Sequence, residues 1–330
     1  MKKILSVFLG IVLAFSFVSC GGRGEIITTE YNTKEQNDTT NESPIDTPKV
    51  VESTVIDEEN KEKINKMIIT GMPDKSSISG FLPLEKISYT VKDPNNSKGL
   101  STKKVSHSHG PASGGQPHFT VVDFQKTFDK YGALTLDTSG EKVMYLTFDC
   151  GYEYENLTSK ILDVLKEKKV TATFFCTLDH IKKETDLINR MIKEGHIVGN
   201  HSATHPSFAA IDRAKMAKEI EDTENYLREN FGYSAKYFRF PAGEYNENAL
   251  DLVQSLGYMS VFWSVAYDDW ATDNVRGKDY AIEKVMSRLH SGAVILLHSV
   301  SKDNAAALGE IIDRARSEGY EFRSLTEYGK

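Results

Sequence analysis

Val143-Met144-Tyr145-Leu146-Thr147-Phe148 runs without a break into Asp149-Cys150-Gly151-Tyr152-Glu153. Six apolar or β-favouring residues ahead of a polar cluster and a glycine describe a short buried strand with chemistry at its C-terminal end. The arrangement recurs downstream. Apolar runs at 171–176, 196–200, 237–240, 259–265, 294–298 and 320–325 alternate with helix-period stretches at 156–168, 183–194, 212–230, 247–256, 278–290 and 303–317. Asp212 and Asn246 stand where helix N-caps belong, and Gly195, Gly232, Gly257 and Gly319 stand where helices should stop. Strand–helix alternation repeated this often implies parallel strands joined by helical crossovers. The expected fold is α/β, a distorted, incomplete (β/α)7-8 barrel with its core at 142–326 of a domain spanning 118–330. An open doubly wound sheet is the other arrangement this pattern allows.

In a parallel barrel the functional groups gather at the C-terminal strand ends. Here those ends carry Asp149-Cys150-Gly151, His201-Ser202-Ala203-Thr204-His205, Arg239-Phe240-Pro241-Ala242-Gly243, Asp268-Asp269-Trp270 and Leu296-Leu297-His298. Five polar strand ends on one rim outweigh any lone histidine. His201 and His205 have the i, i+4 spacing that puts two imidazoles on one metal if the backbone turns helically there; an ordinary hydrogen-bonding loop is the plainer alternative. Asp149 or Cys150 offers a ligand or a base. His298 offers a proton if Asp269 raises its pKa, and Arg239 can hold a carboxylate bidentately. Together these groups suit metal-assisted hydrolysis of an amide or ester.

The rest of the chain bears on where this happens. Its 330 residues are 39% hydrophobic and 26% charged, which excludes collagen-like, coiled-coil and polytopic membrane classes. A net charge of −7 argues against a nucleic-acid partner. Lys2 and Lys3 precede an apolar run from Ile4 to Val18. That run is short of the roughly 20 residues a spanning helix needs, so residues 1–19 are expected to be a secretory signal peptide. Phe17-Val18-Ser19-Cys20 resembles a bacterial lipobox, with Phe17 where leucine is usual, which makes Cys20 a candidate for lipidation. The expectation is an extracytoplasmic lipoprotein anchored to the membrane. Residues 20–117 would hold the lipidated Cys20, a flexible, disordered tether to about residue 80, and a lead-in segment in which His107 and His109 sit in an exposed loop.

The rim motifs Thr147-Phe148-Asp149-x-Gly151, His201-Ser202-x-x-His205, Arg239-x-Pro241-x-Gly243, Asp269-Trp270 and Leu296-x-His298 stand in the order of those of the polysaccharide deacetylases. The chain therefore resembles that group, the NodB-homology domains of carbohydrate esterase family 4, over about residues 118–326. The stretches Gly195-His-Ile-Val-Gly-Asn-His-Ser and Val300-Ser-Lys-Asp-Asn-Ala are similar, more narrowly, to the delta-lactam-biosynthetic de-N-acetylases. Those enzymes deacetylate N-acetylmuramic acid in peptidoglycan whose peptide an amidase has removed, leading to the muramic δ-lactam of spore cortex.

Carried over, the resemblance makes Asp149 the base that activates water on a divalent metal, most simply zinc. His201 and His205 become metal ligands, and His298 the acid, oriented by Asp269. Arg239 would position Asp149, the Ala242 N–H would face the oxyanion, and Trp270 and Leu296 would wall the acetyl pocket. Cys150 stands where the wider family has its third metal ligand, an aspartate. As thiolate it could coordinate, and as thiol it would only fill space. Ala266 also replaces an acid common in relatives, and Asp268 is expected to face solvent. Cys176 is expected to be a small core residue; a Cys150–Cys176 disulfide is conceivable. Ser299-Val300-Ser301-Lys302 matches a penicillin-binding spacing by chance. Two alternatives remain open at this point: a deacetylase acting on N-acetylglucosamine in peptidoglycan or chitin-like glycan, and a glycan-binding lipoprotein whose metal site has decayed through Cys150.

Overall fold

The computed structural model describes residues 77–329. The expected signal peptide, the lipidated Cys20 and the tether to residue 76 lie outside the described residues. In chain order the elements are β1 (Val105–Ser106), α1 (Phe119–Phe128), β2 (Val143–Cys150), α2 (Leu157–Lys168), β3 (Thr173–Cys176), α3 (Leu178–Lys183), α4 (Thr185–Lys193), β4 (Ile197–Asn200), α5 (Arg213–Phe231), β5 (Tyr237–Phe238), β6 (Glu244–Tyr245), α6 (Glu247–Ser255), β7 (Met259–Ser260), α7 (Lys278–Met286), β8 (Ala293–His298), α8 (Lys302–Ser317) and β9 (Glu321–Phe322).

The sheet order is β7-β5-β4-β3-β2-β8, with every pairing parallel, and β9 joins the first two residues of β2. The sheet curls back on itself. After β7 the chain crosses to the far edge, where Val265 bridges Ile295 of β8. That single bridge is why the barrel is incomplete: the run at 259–265 pairs as a strand only at Met259 and Ser260 and then leaves the ladder. The distorted α/β barrel is the architecture observed.

Strand parity sorts the apolar residues into two layers, because successive side chains point to opposite faces. Val143, Tyr145, Phe175, Ile197, Tyr237, Val261 and Val294 fill one cluster. Met144, Leu146, Phe148, Cys150, Phe174, Cys176 and Val198 join the larger one with the apolar stripes of the helices. Asp149 shares the parity of Tyr145, and Cys150 that of Phe148.

Helix ends follow the expected chemistry. Asp212 and Asn246 accept from the backbone N–H of Lys215 and Ala249. Gly195, Gly232, Gly257 and Gly319 all take positive φ. The stretch at 183–194 is α3 and α4, broken at Glu184 (φ −110°, ψ 46°).

The lead-in segment is packed from residue 77 onward. Phe81, Tyr89, Val91 and Val105 lie against the main core, and the Ile87 and Tyr89 N–H groups donate to Asn225 and Glu221 on α5. His107 is buried among Phe124, Phe128 and Phe262, with Nε2 2.7 Å from the Trp263 carbonyl oxygen. The loop expected there is thus a strap pinned by the buried His107, with Ser106 and Ser108 beside it exposed. Hydrogen bonds to polar groups on α5 hold much of it, and these leave no hydrophobic period in the sequence.

Candidate active site

A cavity of about 1080 Å³ opens at the C-terminal ends of the strands. Asp149, His201, His205, Ala242, Trp270, Leu296 and His298 all line it. Arg239 and Asp269 are buried and bonded to the lining residues Asp149 and His298. Cys150 does not join them. β2 continues two residues past the expected end at Phe148, so Asp149 and Cys150 must face opposite sides of the sheet. Cys150 is fully buried in the helix-facing core, away from the His201–His205 pair.

Arg239 is fully buried, and each of its three nitrogens donates a hydrogen bond. Its Nη1 donates to Asp149 Oδ1 at 2.8 Å, Nε to the Val261 carbonyl at 2.9 Å and Nη2 to the Phe262 carbonyl at 3.1 Å. The guanidinium also sits 4.2 Å from the centre of the Phe175 ring. Burial pushes the Asp149 carboxyl up, but Arg239, His201 and His298 outweigh it and hold it below the ordinary carboxylate range. Asp149 is therefore an ionised, rigidly aimed acceptor.

His201 Nδ1–H donates to the Arg239 carbonyl at 2.9 Å, which leaves the Nε2 lone pair 3.6 Å from Asp149 Oδ2. The His205 ring lies 4.8 Å from it, centre to centre, at 75°. No helical turn makes this pair. Ser202 (φ 67°) and His205 (φ 59°) are both left-handed, a strain of about 1–3 kcal/mol each that must be held from outside. Glu219 of α5 supplies the hold, accepting from the N–H groups of Ala203 and Thr204 and from the Thr204 hydroxyl at 2.7–3.1 Å. Burial takes the His201 imidazole down to about 4 and lowers that of His205, so both are neutral with free lone pairs.

On the opposite wall, His298 Nδ1–H donates to Asp269 Oδ1 at 2.6 Å. Asp269 Oδ2 accepts from the His298 backbone N–H at 2.8 Å and from Asn304 Nδ2 at 2.5 Å, and the Tyr267 hydroxyl donates to Asn304 Oδ1. Burial disfavours the His298 imidazolium, but the Asp269 charge and hydrogen bond more than offset this and raise its pKa above the usual histidine value. Ala242 on the rim is also left-handed (φ 53°). Asp268 is exposed and paired with Arg276, as expected, and Lys302 is turned to Glu155, leaving the Ser299–Lys302 spacing without a role.

Sequence reasoning missed several residues at the site and left His109 in an exposed loop. Ser108, His109, Gly110 and Pro111 of the strap form one wall, with Trp263 Nε1–H donating to His109 Nδ1 at 3.3 Å. Arg288 also lines the cavity, donating to the Ala266 carbonyl, and no carboxylate lies within 4 Å of it among the described residues. Glu219, Asn304 and Tyr267 support the histidines. Only Asn304 falls within a motif, and spacing assigned it nothing.

The family model of the polysaccharide deacetylases matches residues 137–261. The peptidoglycan-N-acetylmuramic acid deacetylase PdaA of Bacillus subtilis is 41% identical over 229 residues, covering 68% of this chain and 83% of that protein. The chain belongs to the polysaccharide deacetylase family. The solved structure of Bacillus subtilis PdaA, a family 4 carbohydrate esterase, superposes on this deacetylase with a TM-score of 0.66 at 37% identity, over 69% of this chain and 98% of that one. A Bacillus cereus peptidoglycan-N-acetylglucosamine deacetylase is 35% identical over 184 residues, 54% of this chain and 66% of that protein.

The deacetylase presents two neutral imidazoles and an ionised carboxylate at one point of the cavity. That donor set fits a divalent ion held by His201 and His205 beside Asp149, without Cys150.

Proposed function

We propose that this enzyme removes the N-acetyl group from N-acetylmuramic acid in peptidoglycan already stripped of peptide. The observation that carries the hydrolysis is a pair of opposed, oppositely tuned groups in one cavity: Asp149 biased toward its ionised form by Arg239, and His298 biased toward its protonated form by Asp269. This is the division needed for amide hydrolysis, a base for the attacking water and an acid for the departing amine. Asp149 takes a proton from water as it adds to the acetyl carbonyl. The Ala242 N–H faces the oxyanion as charge develops. His298 delivers its Nε2 proton to the nitrogen as the C–N bond breaks, releasing acetate. Leu296 and Trp270 flank the acetyl methyl. A divalent ion on His201 and His205, zinc by ligand class, would polarise the carbonyl and acidify water.

For the sugar, the reading rests on the likeness to PdaA and on Arg288. Muramic acid differs from glucosamine by a lactyl carboxylate. Arg288 is a cavity cation with no carboxylate partner among the described residues, so it is free to meet one. An amidase would act first, and the freed amine lies next to the lactyl carboxyl with which the δ-lactam forms. The basic, apolar and Cys20-terminated start of the chain supports an extracytoplasmic, lipid-anchored enzyme working on the wall from the membrane.

Asp149→Asn in the full chain tests the chemistry. Acetate release should stop while circular dichroism and melting show a folded protein. Retained activity would remove Asp149 from the mechanism.

A further inference from the structure

On the opposite face of the sheet from Asp149 lies a second group of donor atoms, which deacetylation does not use. Cys150 ends β2 and Cys176 ends β3, and the two are laterally paired across the parallel ladder. Thr177 then caps α3, its Oγ1 accepting from the His180 N–H, and this first turn carries the His180 ring over the thiols. The two sulfurs and one ring nitrogen of His180 all lie within 4.8 Å of one another. All three residues are fully buried. Among the described residues, neither ring nitrogen of His180 has a hydrogen-bond partner. Buried polar atoms in folded proteins are nearly always paired, so an unpartnered imidazole beside two thiols points to an atom that belongs between them.

We infer that Cys150, Cys176 and His180 form a metal site separate from the catalytic cavity, taking one thiophilic divalent cation of the zinc class. Two sulfurs and an imidazole nitrogen are soft to borderline donors, which excludes magnesium and calcium, whose ligands are oxygens. Ligand atoms on a tetrahedral zinc stand about 3.5–3.8 Å apart, so the group needs only a small contraction. Charge also balances. Each thiol gives its proton to solvent as its sulfur–metal bond forms, and a divalent ion with two thiolates and a neutral imidazole carries no net charge. Neutrality is what a dry interior requires. The ion would pin the ends of β2 and β3 to α3. Asp149 precedes one ligand, and Thr177, which lines the cavity, follows another, so the clamp would fix the floor of the site from behind. Cys150, the residue that departs from the family's catalytic ligand set, would serve a different ion.

The test uses the full chain, purified under reducing conditions and loaded with cobalt(II). Thiolate-to-cobalt charge-transfer absorption is expected in the near ultraviolet. A site of imidazoles and carboxylate has none, so the signal is independent of the catalytic ion and of turnover. Cys176→Ser and His180→Phe should each lose one equivalent of bound metal. Both variants should therefore abolish the band, while His201→Ala should leave it intact. Absence of the band in folded, reduced wild-type protein would overturn the site, and that measurement stands even if the core variants fail to fold. A band unchanged in Cys176→Ser, or a Cys150–Cys176 disulfide in protein isolated without reductant, would overturn it as well.

Discussion

Asp269→Asn removes the charge that favours the protonated His298 while leaving a side chain of nearly the same shape. Three donors converge on the Asp269 carboxylate, namely His298 Nδ1, the His298 backbone N–H and Asn304 Nδ2. An amide offers one acceptor oxygen and turns its own donor toward the others. Charge centres about 4 Å apart at an effective dielectric near 20 attract by about 4 kcal/mol. Burial of both groups offsets part of this, leaving about 2–3 kcal/mol of preference for the protonated imidazole at stake. That corresponds to a fall in kcat of about 30- to 150-fold. The pH profile is more specific than the rate. His298 must be protonated to act, so activity falls as pH rises through its raised pKa, and the substitution should move that basic limb to lower pH. Stability should follow the same sign. A raised histidine pKa stabilises the fold fully below the unfolded value of about 6.5 and loses the effect as pH climbs through the folded value. The melting-temperature gap between wild type and variant should therefore be widest in acid and narrow in alkali, above a constant remainder from lost hydrogen bonds. Acetate release followed across pH reads the first effect and calorimetry the second. An unmoved basic limb with unchanged kcat would refute the assignment of His298 as an acid tuned by Asp269.

Other substitutions probe the supports of the site. Arg239→Leu leaves the Asp149 carboxylate buried and unpaired, so it should abolish turnover and cost about 3–5 kcal/mol of stability in denaturant titration. Gly199→Ala places a Cβ about 2.5 Å from the Phe175 ring. Because Phe175 stacks on Arg239, the change should cost about 1–3 kcal/mol and lower kcat without touching substrate. Glu219→Gln, on α5, should raise the concentration of metal needed for half-maximal activity by loosening the loop that aligns His201 with His205. Arg288→Gln should reduce kcat/KM more steeply for muramic than for glucosamine substrates, by roughly the 10- to 100-fold that a charge-assisted hydrogen bond is worth.

Much of this architecture is legible in the sequence because its determinants are local. The runs beginning at Val143 and Val294 can only be buried strands, and the caps at Asp212 and Asn246 fix helix starts within a residue. Parallel strands then carry Asp149, His201, Arg239 and His298 to one rim. What stayed hidden depends on contacts across the fold. Ending the first strand at Phe148 left Asp149 and Cys150 free to turn the same way; two more paired residues force them apart. The His201–His205 loop takes left-handed conformations at Ser202 and His205, held by the Asn200 and Ser202 side chains and by Glu219 of α5 on Ala203 and Thr204. His107 lies in a polar stretch that spacing marks as loop, yet an aromatic shell from α1 and Phe262 buries it. Arg288 has no motif at all and gains meaning only from the cavity it lines.

The central claim is most directly tested on the full chain with two preparations of peptidoglycan, one stripped of peptide by an amidase and one intact. After digestion, mass spectrometry of the muropeptides and saccharides assigns every acetyl loss to a sugar. Loss of acetyl at muramic acid, confined to the stripped preparation, is the expected result. Loss at glucosamine alone would overturn the muramic reading while keeping the deacetylase. No loss from either sugar, in folded and metal-supplied protein, would contradict the hydrolytic mechanism built on Asp149 and His298.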